Sequence, residues 1–421
     1  MPNDQNTNEE EFSFIQETIK PKSVSGKKIL TRAAQLALGG LVFGACACLA
    51  FYALKPLAKN WFQDDQAAVT IPDEEETDAA EEETDPTAEP AAEAVVTPEL
   101  TADSLLEMAD SFYDIVKEAD KSIVSIQQTT TEDWTAETTG QKSGSGVIAS
   151  DNGRELLILA DNAVCADAQK WTVTFADKKQ YPVSLKIQDK NRGLAVFSVD
   201  RSALADSTWN AVKVATFGNS NSCVRGDVVA ALGNVFGYGG GFGYGIISSK
   251  SYDTVFADSH CGVIATDIPL SEDGTGILIN ESGEVIGLIR SGLMQDSAAN
   301  TANALAVSDL KNVLEKLLAG ESVPYVGLNG ISVTEEISDG QNIPQGFYVT
   351  QVQEDSPAMA AGIQNGDVIT EIDGTEVTSQ TAYTKAVEAC STGDTVKVRG
   401  QRRGSGGFVD VEFTVTVGSR E

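Results

Sequence analysis

Thr266-Asp267-Ile268-Pro269-Leu270-Ser271-Glu272-Asp273-Gly274-Thr275-Gly276-Ile277-Leu278-Ile279-Asn280, running on through Gly283-Glu284-Val285-Ile286-Gly287-Leu288, is the stretch that decides the fold. The apolar start, the Asp-Gly-x-Gly centre and the two apolar runs around Gly283 predict a strand, a tight glycine loop, a strand, a turn and another strand. Upstream, runs at 122–127, 144–148, 156–159, 171–175, 181–187, 194–199, 227–232 and 245–248 alternate or run apolar between Gly and Asp turns. Many short strands at this spacing, with little helix, predict an all-β barrel or sandwich. A helical pattern over 105–119 precedes them, 129–142 is a polar loop, and an amphipathic helix over 306–318 closes the domain.

At 421 residues, with 41% hydrophobic residues, the chain has room for two or three domains with ordinary cores. The formal net charge of −32 argues against a nucleic-acid partner, because phosphate binding needs clustered Lys and Arg. No C-x-x-C pair occurs among the six cysteines, so neither a zinc site nor a thioredoxin-like motif is indicated, and no metal or cofactor is implied. Cys165, Cys223 and Cys261 could supply one disulfide if the domain lies in an oxidising compartment; spacing does not choose a pair.

The first quarter is organised differently. Residues 1–32 are polar and end in Lys27, Lys28 and Arg32. Residues 33–54 are almost wholly apolar, and twenty-odd residues at about 1.5 Å rise span a bilayer core of roughly 30 Å. The basic flank predicts a single-pass helix with the N-terminus cytoplasmic and the rest of the chain outside. A cleaved signal peptide is the competing reading, since Ala45-Cys46-Ala47 is small enough for a peptidase. Residues 55–104 follow as an acidic linker with Asp73-Glu74-Glu75-Glu76 and Glu81-Glu82-Glu83, whose self-repulsion predicts an extended spacer.

Several motifs in order carry a resemblance. Gly144-Ser145-Gly146-Val147-Ile148, Phe217-Gly218-Asn219-Ser220, Arg225-Gly226-Asp227-Val228-Val229-Ala230-Ala231-Leu232-Gly233-Asn234 and Gly245-Ile246-Ile247-Ser248 stand ahead of the glycine loop. Together they resemble the trypsin-like proteases of the HtrA (high-temperature-requirement) family over roughly 120–318. The resemblance implies a mainly β, chymotrypsin-like double β-barrel over 105–320. Further on, Tyr325-Val326-Gly327-Leu328, Asp355-Ser356-Pro357-Ala358, Ala361-Gly362-Ile363-Gln364-Asn365-Gly366-Asp367 and Asp373-Gly374 resemble the family's PDZ domain, an α+β unit over 323–421. In such domains the loop matching Tyr325, Val326, Gly327 and Leu328 offers backbone N–H groups to a peptide's C-terminal carboxylate, and the peptide pairs as an added strand. A closed groove, kept only for packing, is the alternative. Family members commonly form trimers through the barrel domain, so the resemblance also implies a homotrimer.

The triad positions are where the chain departs from the family. Serine-type acyl transfer needs a nucleophile, a base, a group that orients the base, and oxyanion donors. The base motif T-N-x-H-V aligns with Ala160-Asp161-Asn162-Ala163-Val164, putting Ala163 at the histidine. The motif D-L-A-V-L aligns with Gly193-Leu194-Ala195-Val196-Phe197, putting Gly193 at the aspartate. Counting back from Gly283 puts Gly274 at the serine; counting forward from Thr266 puts Thr275 there. The single histidine, His260, precedes a strand away from the base position, and beside Cys261 it would face the other way in an extended chain. The expectation is a membrane-anchored, extracytoplasmic pseudoprotease of the bacterial envelope that binds peptides or protein C-termini as a scaffold, adaptor or quality-control factor. The rivals are an active endopeptidase with a displaced site on Thr275, and a structural envelope protein with a closed PDZ groove.

Overall fold

The computed structural model describes residues 102–129, 142–166, 169–294 and 300–421. Among them no helix is long and apolar enough to cross a membrane. The tail 1–32, the apolar run 33–54 and the acidic segment to residue 101 lie outside the described residues. The last three residues assigned to the linker belong instead to helix α1 (Ala102–Asp120), which buries Val116 and Ala119 and stops where Ser122 N–H and Oγ–H both donate to Ala119 O.

Two closed six-stranded barrels follow. The first holds β1 (Ile123–Gln128), β2 (Ser143–Asp151), β3 (Glu155–Asp161), β4 (Trp171–Thr174), β5 (Gln180–Asp189) and β6 (Leu194–Asp200), in the order β1-β2-β3-β6-β5-β4. The second holds β7 (Val228–Asn234), β8 (Gly241–Phe256), β9 (Ser259–Thr266), β10 (Thr275–Ile279), β11 (Val285–Arg290) and β12 (Ala304–Ala306), in the order β10-β11-β12-β9-β8-β7. Period-2 alternation explains the continuous apolar runs. On β3, Leu156 and Ile158 point into the first barrel with Ile126, Val173 and Phe197. Their neighbours Leu157 and Leu159 point out, and pack with Ala230, Leu232, Ile277 and Leu288 of the second barrel. A strand buried on both faces cannot alternate in polarity.

Two sequence expectations are corrected here. The strand expected at 245–248 is β8, sixteen residues long, because the polar stretch 249–256 still pairs with β9 as a two-strand arm, with register shifts at Ile247/Ser249 and Ser249/Tyr252. The helix expected over 306–318 begins late. Ala304–Ala306 is β12 in the second barrel, Ser308–Leu310 is a single 3₁₀ turn, and only then does α2 (Lys311–Ala319) run to Gly320, whose φ of +75° ends it. Barrel pairing outcompetes a helical pattern whose first residues are small and apolar.

The C-terminal unit is a sheet of β13 (Leu328–Val333), β14 (Gly346–Val352), β15 (Val368–Ile372), β17 (Thr395–Gly404) and β18 (Gly407–Thr416) in that order, with β16 (Thr375–Glu376) pairing with β15. Helices α3 (Glu335–Gln341), α4 (Pro357–Ala361) and α5 (Gln380–Glu388) complete it. Their starts are capped: Thr334, Ser356 and Ser379 each accept a helical N–H, and Pro357 opens α4 where its missing N–H costs nothing. The core joins Leu328, Phe347, Val349, Ile369, Val398 and Val415 to Tyr383 of α5, whose ring stacks on Phe347 at 4.0 Å. Strand β13 is an edge strand facing α5, the place where a peptide would add to the sheet.

Candidate functional sites

The first site is the cleft between the barrels, lined by Asp161, Leu194 and Thr275, beside the segments that carry Ala163 and Gly193. Ala163 sits on the 3₁₀ turn Asn162–Cys165, exposed, with its N–H donated to Asp161 Oδ1 at 2.7 Å. Ala163, aligned in sequence with the family's histidine, carries no ionisable group. Gly193 has φ +71°, and its ground is taken by Arg290 of β11. The Arg290 guanidinium donates to Arg192 O at 2.9 Å, to Gly193 O, and through Nε to Asp161 Oδ2. A Cβ at position 193 would lie 2.3 Å from Arg290 Nη2. An acid there would have to displace the guanidinium.

Thr275 opens β10, paired across the strands with Arg290 and Asn234. Its Oγ1 accepts the N–H of Ser145 at 3.0 Å, which fixes the hydroxyl against β2. Among the described residues no carboxylate, imidazole or amine is hydrogen-bonded to that hydroxyl. The glycine loop is folded on itself: Gly274 N–H donates to Ser271 O at 2.9 Å, so that N–H does not face outward as an oxyanion donor. The cleft lined by Ser145, Asp161, Leu194 and Thr275 holds about 20 Å³, room for roughly one water. His260 is inside β9, opposite Val255, not just ahead of a strand; β11 and β12 separate β9 from β10. It does not reach Thr275. Cys165, Cys223, Cys261 and Cys390 are all free thiols, so the disulfide allowed by the sequence is absent among the described residues.

The second site is the loop Tyr325-Val326-Gly327-Leu328. Gly327 has φ +93°, and a Cβ there would meet Ser356 Cβ at 2.3 Å, so only glycine turns the three amides toward one point. That point is filled by Asp258, from the turn between β8 and β9. Its Oδ2 accepts from Val326 N–H at 2.7 Å and Gly327 N–H at 2.8 Å; its Oδ1 accepts from Leu328 N–H at 2.9 Å and Tyr383 Oη–H at 2.7 Å. Its own N–H donates to Leu328 O at 2.7 Å, and Thr384 Oγ1–H donates to Asp258 O at 2.9 Å. The residue is buried, with φ +66°. Burial pushes its carboxyl upward in pKa, and the Tyr383 hydroxyl and the loop amides pull the other way, burial being the larger. Burial also drives the Tyr383 phenol well above its ordinary value.

The turn that carries Asp258 is anchored to the first barrel. Asn191 Nδ2–H donates to Ala257 O at 2.9 Å, and Arg192 Nη2–H donates to Ser259 Oγ at 2.9 Å. Arg192 also pairs with Asp189 at 3.0 Å, both side chains almost wholly buried. The segment 189–193 thus touches Arg290 on one side and the Asp258 turn on the other. Asp161, Arg290, Asp258 and Tyr383 were not singled out from the sequence. Arg290 carried a signal, as the only charged residue in the apolar run Val285–Arg290. Asp258 carried none beyond the look of a turn.

Residues 144–288 match the trypsin-like peptidase domain family and residues 327–416 match the PDZ domain family. Among curated proteins, the chain is 29% identical over 297 residues to the serine protease Do-like HtrB of Bacillus subtilis (strain 168), covering 64% of this chain and 63% of that one. It is 29% identical over 277 residues to a probable periplasmic serine endoprotease, DegP-like, of Rhizobium meliloti (strain 1021), covering 64% and 53%. The match therefore spans less than two thirds of either relative. Among solved structures, the HtrA-type protease AlgW with tripeptide superposes with a TM-score of 0.53 at 26% identity, covering 74% of this chain and 97% of that one. AlgW with decapeptide gives 0.53 at 24%, a likeness of fold.

Proposed function

We propose that this chain, an HtrA/DegP-like trypsin-like peptidase domain followed by a PDZ domain, is a pseudoprotease that binds peptides or protein C-termini. The observation that carries this reading is Arg290 standing in the place of the orienting acid, with Ala163 at the base. A threonine hydroxyl with no base beside it is a very poor nucleophile, and loss of triad members leaves only ~10³–10⁴-fold acceleration over water. Peptide binding is supported by the three convergent amides at 326–328 beside the edge strand β13. AlgW, the fold relative, was solved with peptides. The 33–54 run supports a membrane anchor with the two domains outside the cytoplasm, in a scaffold, adaptor or quality-control role. Assembly of copies through the barrels is supported by the exposed Tyr113, Tyr238, Phe242 and Tyr244 on α1 and around β8.

The reading is tested by treating the full chain with a fluorophosphonate probe and with casein. We expect neither labelling nor digestion, and no difference for Thr275→Ala. Digestion that disappears in Thr275→Ala overturns the pseudoprotease in favour of a displaced active site. The closed-groove reading is the second one with an observation in its favour, the seating of Asp258 in the carboxylate loop.

A further inference from the structure

Asp258 reproduces, group for group, what a peptide C-terminus would present to the loop 325–328. Its two carboxylate oxygens take the amides of Val326, Gly327 and Leu328. Its N–H donates to Leu328 O, the pairing a terminal residue makes when it adds to an edge strand. Among the described residues no lysine or arginine pairs with this carboxylate; its partners are three backbone amides and one phenol. The chain places it there at a cost. The residue is a non-glycine at φ +66°, and its acid group is removed from water. Asn191, Arg192 and Thr384 hold the turn in position by bonds to Ala257, Ser259 and Asp258 itself. At the far end of the groove Gln380 N–H donates to Ser332 Oγ at 2.8 Å, which ties α5 to β13.

We propose that Asp258 is an internal ligand of the PDZ carboxylate loop, and that an external peptide binds by displacing it. The proposal rests on the peptide-binding reading above and adds its competitor. The external ligand class follows from the group it replaces: a free α-carboxylate on an extended chain, because a carboxylate restores both acceptor oxygens of Asp258 at once. A C-terminal amide would bring N–H groups against N–H groups. A ligand that displaces Asp258 also frees the turn 257–259 from a site whose other neighbours, Asn191 and Arg192, adjoin Gly193 and Arg290 between the barrels.

The experiment uses the full chain, its Asp258→Ala variant and the isosteric Asp258→Asn, whose thermal melts verify folding. Hydrogen exchange is followed at the amides of Val326, Gly327 and Leu328, and binding is measured for a library of free-acid decapeptides and the same peptides C-terminally amidated. We expect exchange at the three amides to quicken at least tenfold in Asp258→Ala with the rest of the sheet unchanged. We expect free-acid peptides to gain at least tenfold in affinity over wild type, amidated ones to gain nothing, and Asp258→Asn to fall between. Unchanged exchange at 326–328 in both variants overturns the internal ligand, whatever the peptides do. Faster exchange with equal peptide affinity in wild type and variants overturns the competition. Faster exchange with no peptide bound by any of the three proteins overturns the peptide-binding reading itself and leaves Asp258 as a fixed brace between the domains.

Discussion

The guanidinium of Arg290 and the backbone of Gly193 fit one another so closely that a side chain at position 193 would have to displace the guanidinium. Arg290 reaches from β11 across to the first barrel and donates to the Gly193 carbonyl, and a Cβ on residue 193 would fall 2.3 Å from it. Arg290 is held there by three acceptors, Asp161 Oδ2, Arg192 O and Gly193 O.

Gly193→Ala tests that fit. A methyl at φ +71° costs roughly 1–2 kcal/mol in backbone alone, and displacing Arg290 from its carbonyls adds about 1 kcal/mol more. The expected result is a lower urea midpoint with an unchanged slope. A midpoint equal to wild type means that Arg290 does not hold this position in solution.

Rebuilding the triad should fail while Arg290 remains. In Ala163→His with Gly193→Asp and Thr275→Ser, the new aspartate meets the guanidinium before it meets the histidine, so the base is left unoriented. Casein digestion should stay at background. Adding Arg290→Ala to those three changes is the arm in which turnover can appear, and turnover in its absence contradicts the role given to Arg290.

Arg192 is a charge held inside the protein. It is 3% exposed, paired with Asp189 and bonded to Ser259. Arg192→Ala leaves the Asp189 carboxylate buried without its cation, a loss of about 3–5 kcal/mol. Arg192→Met with Asp189→Leu removes both charges and should recover much of it, as read by denaturant unfolding. Equal losses in the single and double variants rule out the buried pair as the source.

How much of this could be read from the chain follows the kind of interaction. The barrel strands were legible because turn residues punctuate apolar runs such as Leu156–Leu159, and the PDZ unit was legible because Gly327, Gly362 and Gly366 sit at left-handed positions that few residues tolerate. The departures from the family motif at Ala163 and Gly193 were legible as small side chains where the resemblance implies a base and an acid. What fills the gaps was not. Arg290 lies 97 residues from Gly193, and Asp258 lies 68 residues from Val326; no local period or spacing links them. In sequence Ala257-Asp258-Ser259 is an ordinary hairpin turn, and only the closed second barrel aims it at the next domain. The start of α2 was misplaced for the same reason, since pairing of Leu305 with Leu288 and Val263 is decided by strands far upstream.

The free thiols give a pH-dependent prediction. Burial, aided by the nearby Asp161 carboxylate and opposed by Lys190, pushes the Cys165 thiol from an ordinary 9.0 to about 12. Cys223, Cys261 and Cys390 are raised as well, burial leading in each. The thiolate is the reactive form, and three pH units leave about a thousandth of it, so at pH 8 Cys165 should alkylate roughly a thousandfold more slowly than an unhindered cysteine. The sign of the linked stability follows. The folded chain holds this proton more tightly than the unfolded one, so the contribution is complete below pH 9 and is lost as pH rises toward 12. Iodoacetamide labelling read by peptide mass, at pH 8 and again in 8 M urea, checks both statements: labelling should be slow when folded and fast when unfolded. Fast labelling of Cys165 in the folded protein contradicts the burial of its thiol against Asp161.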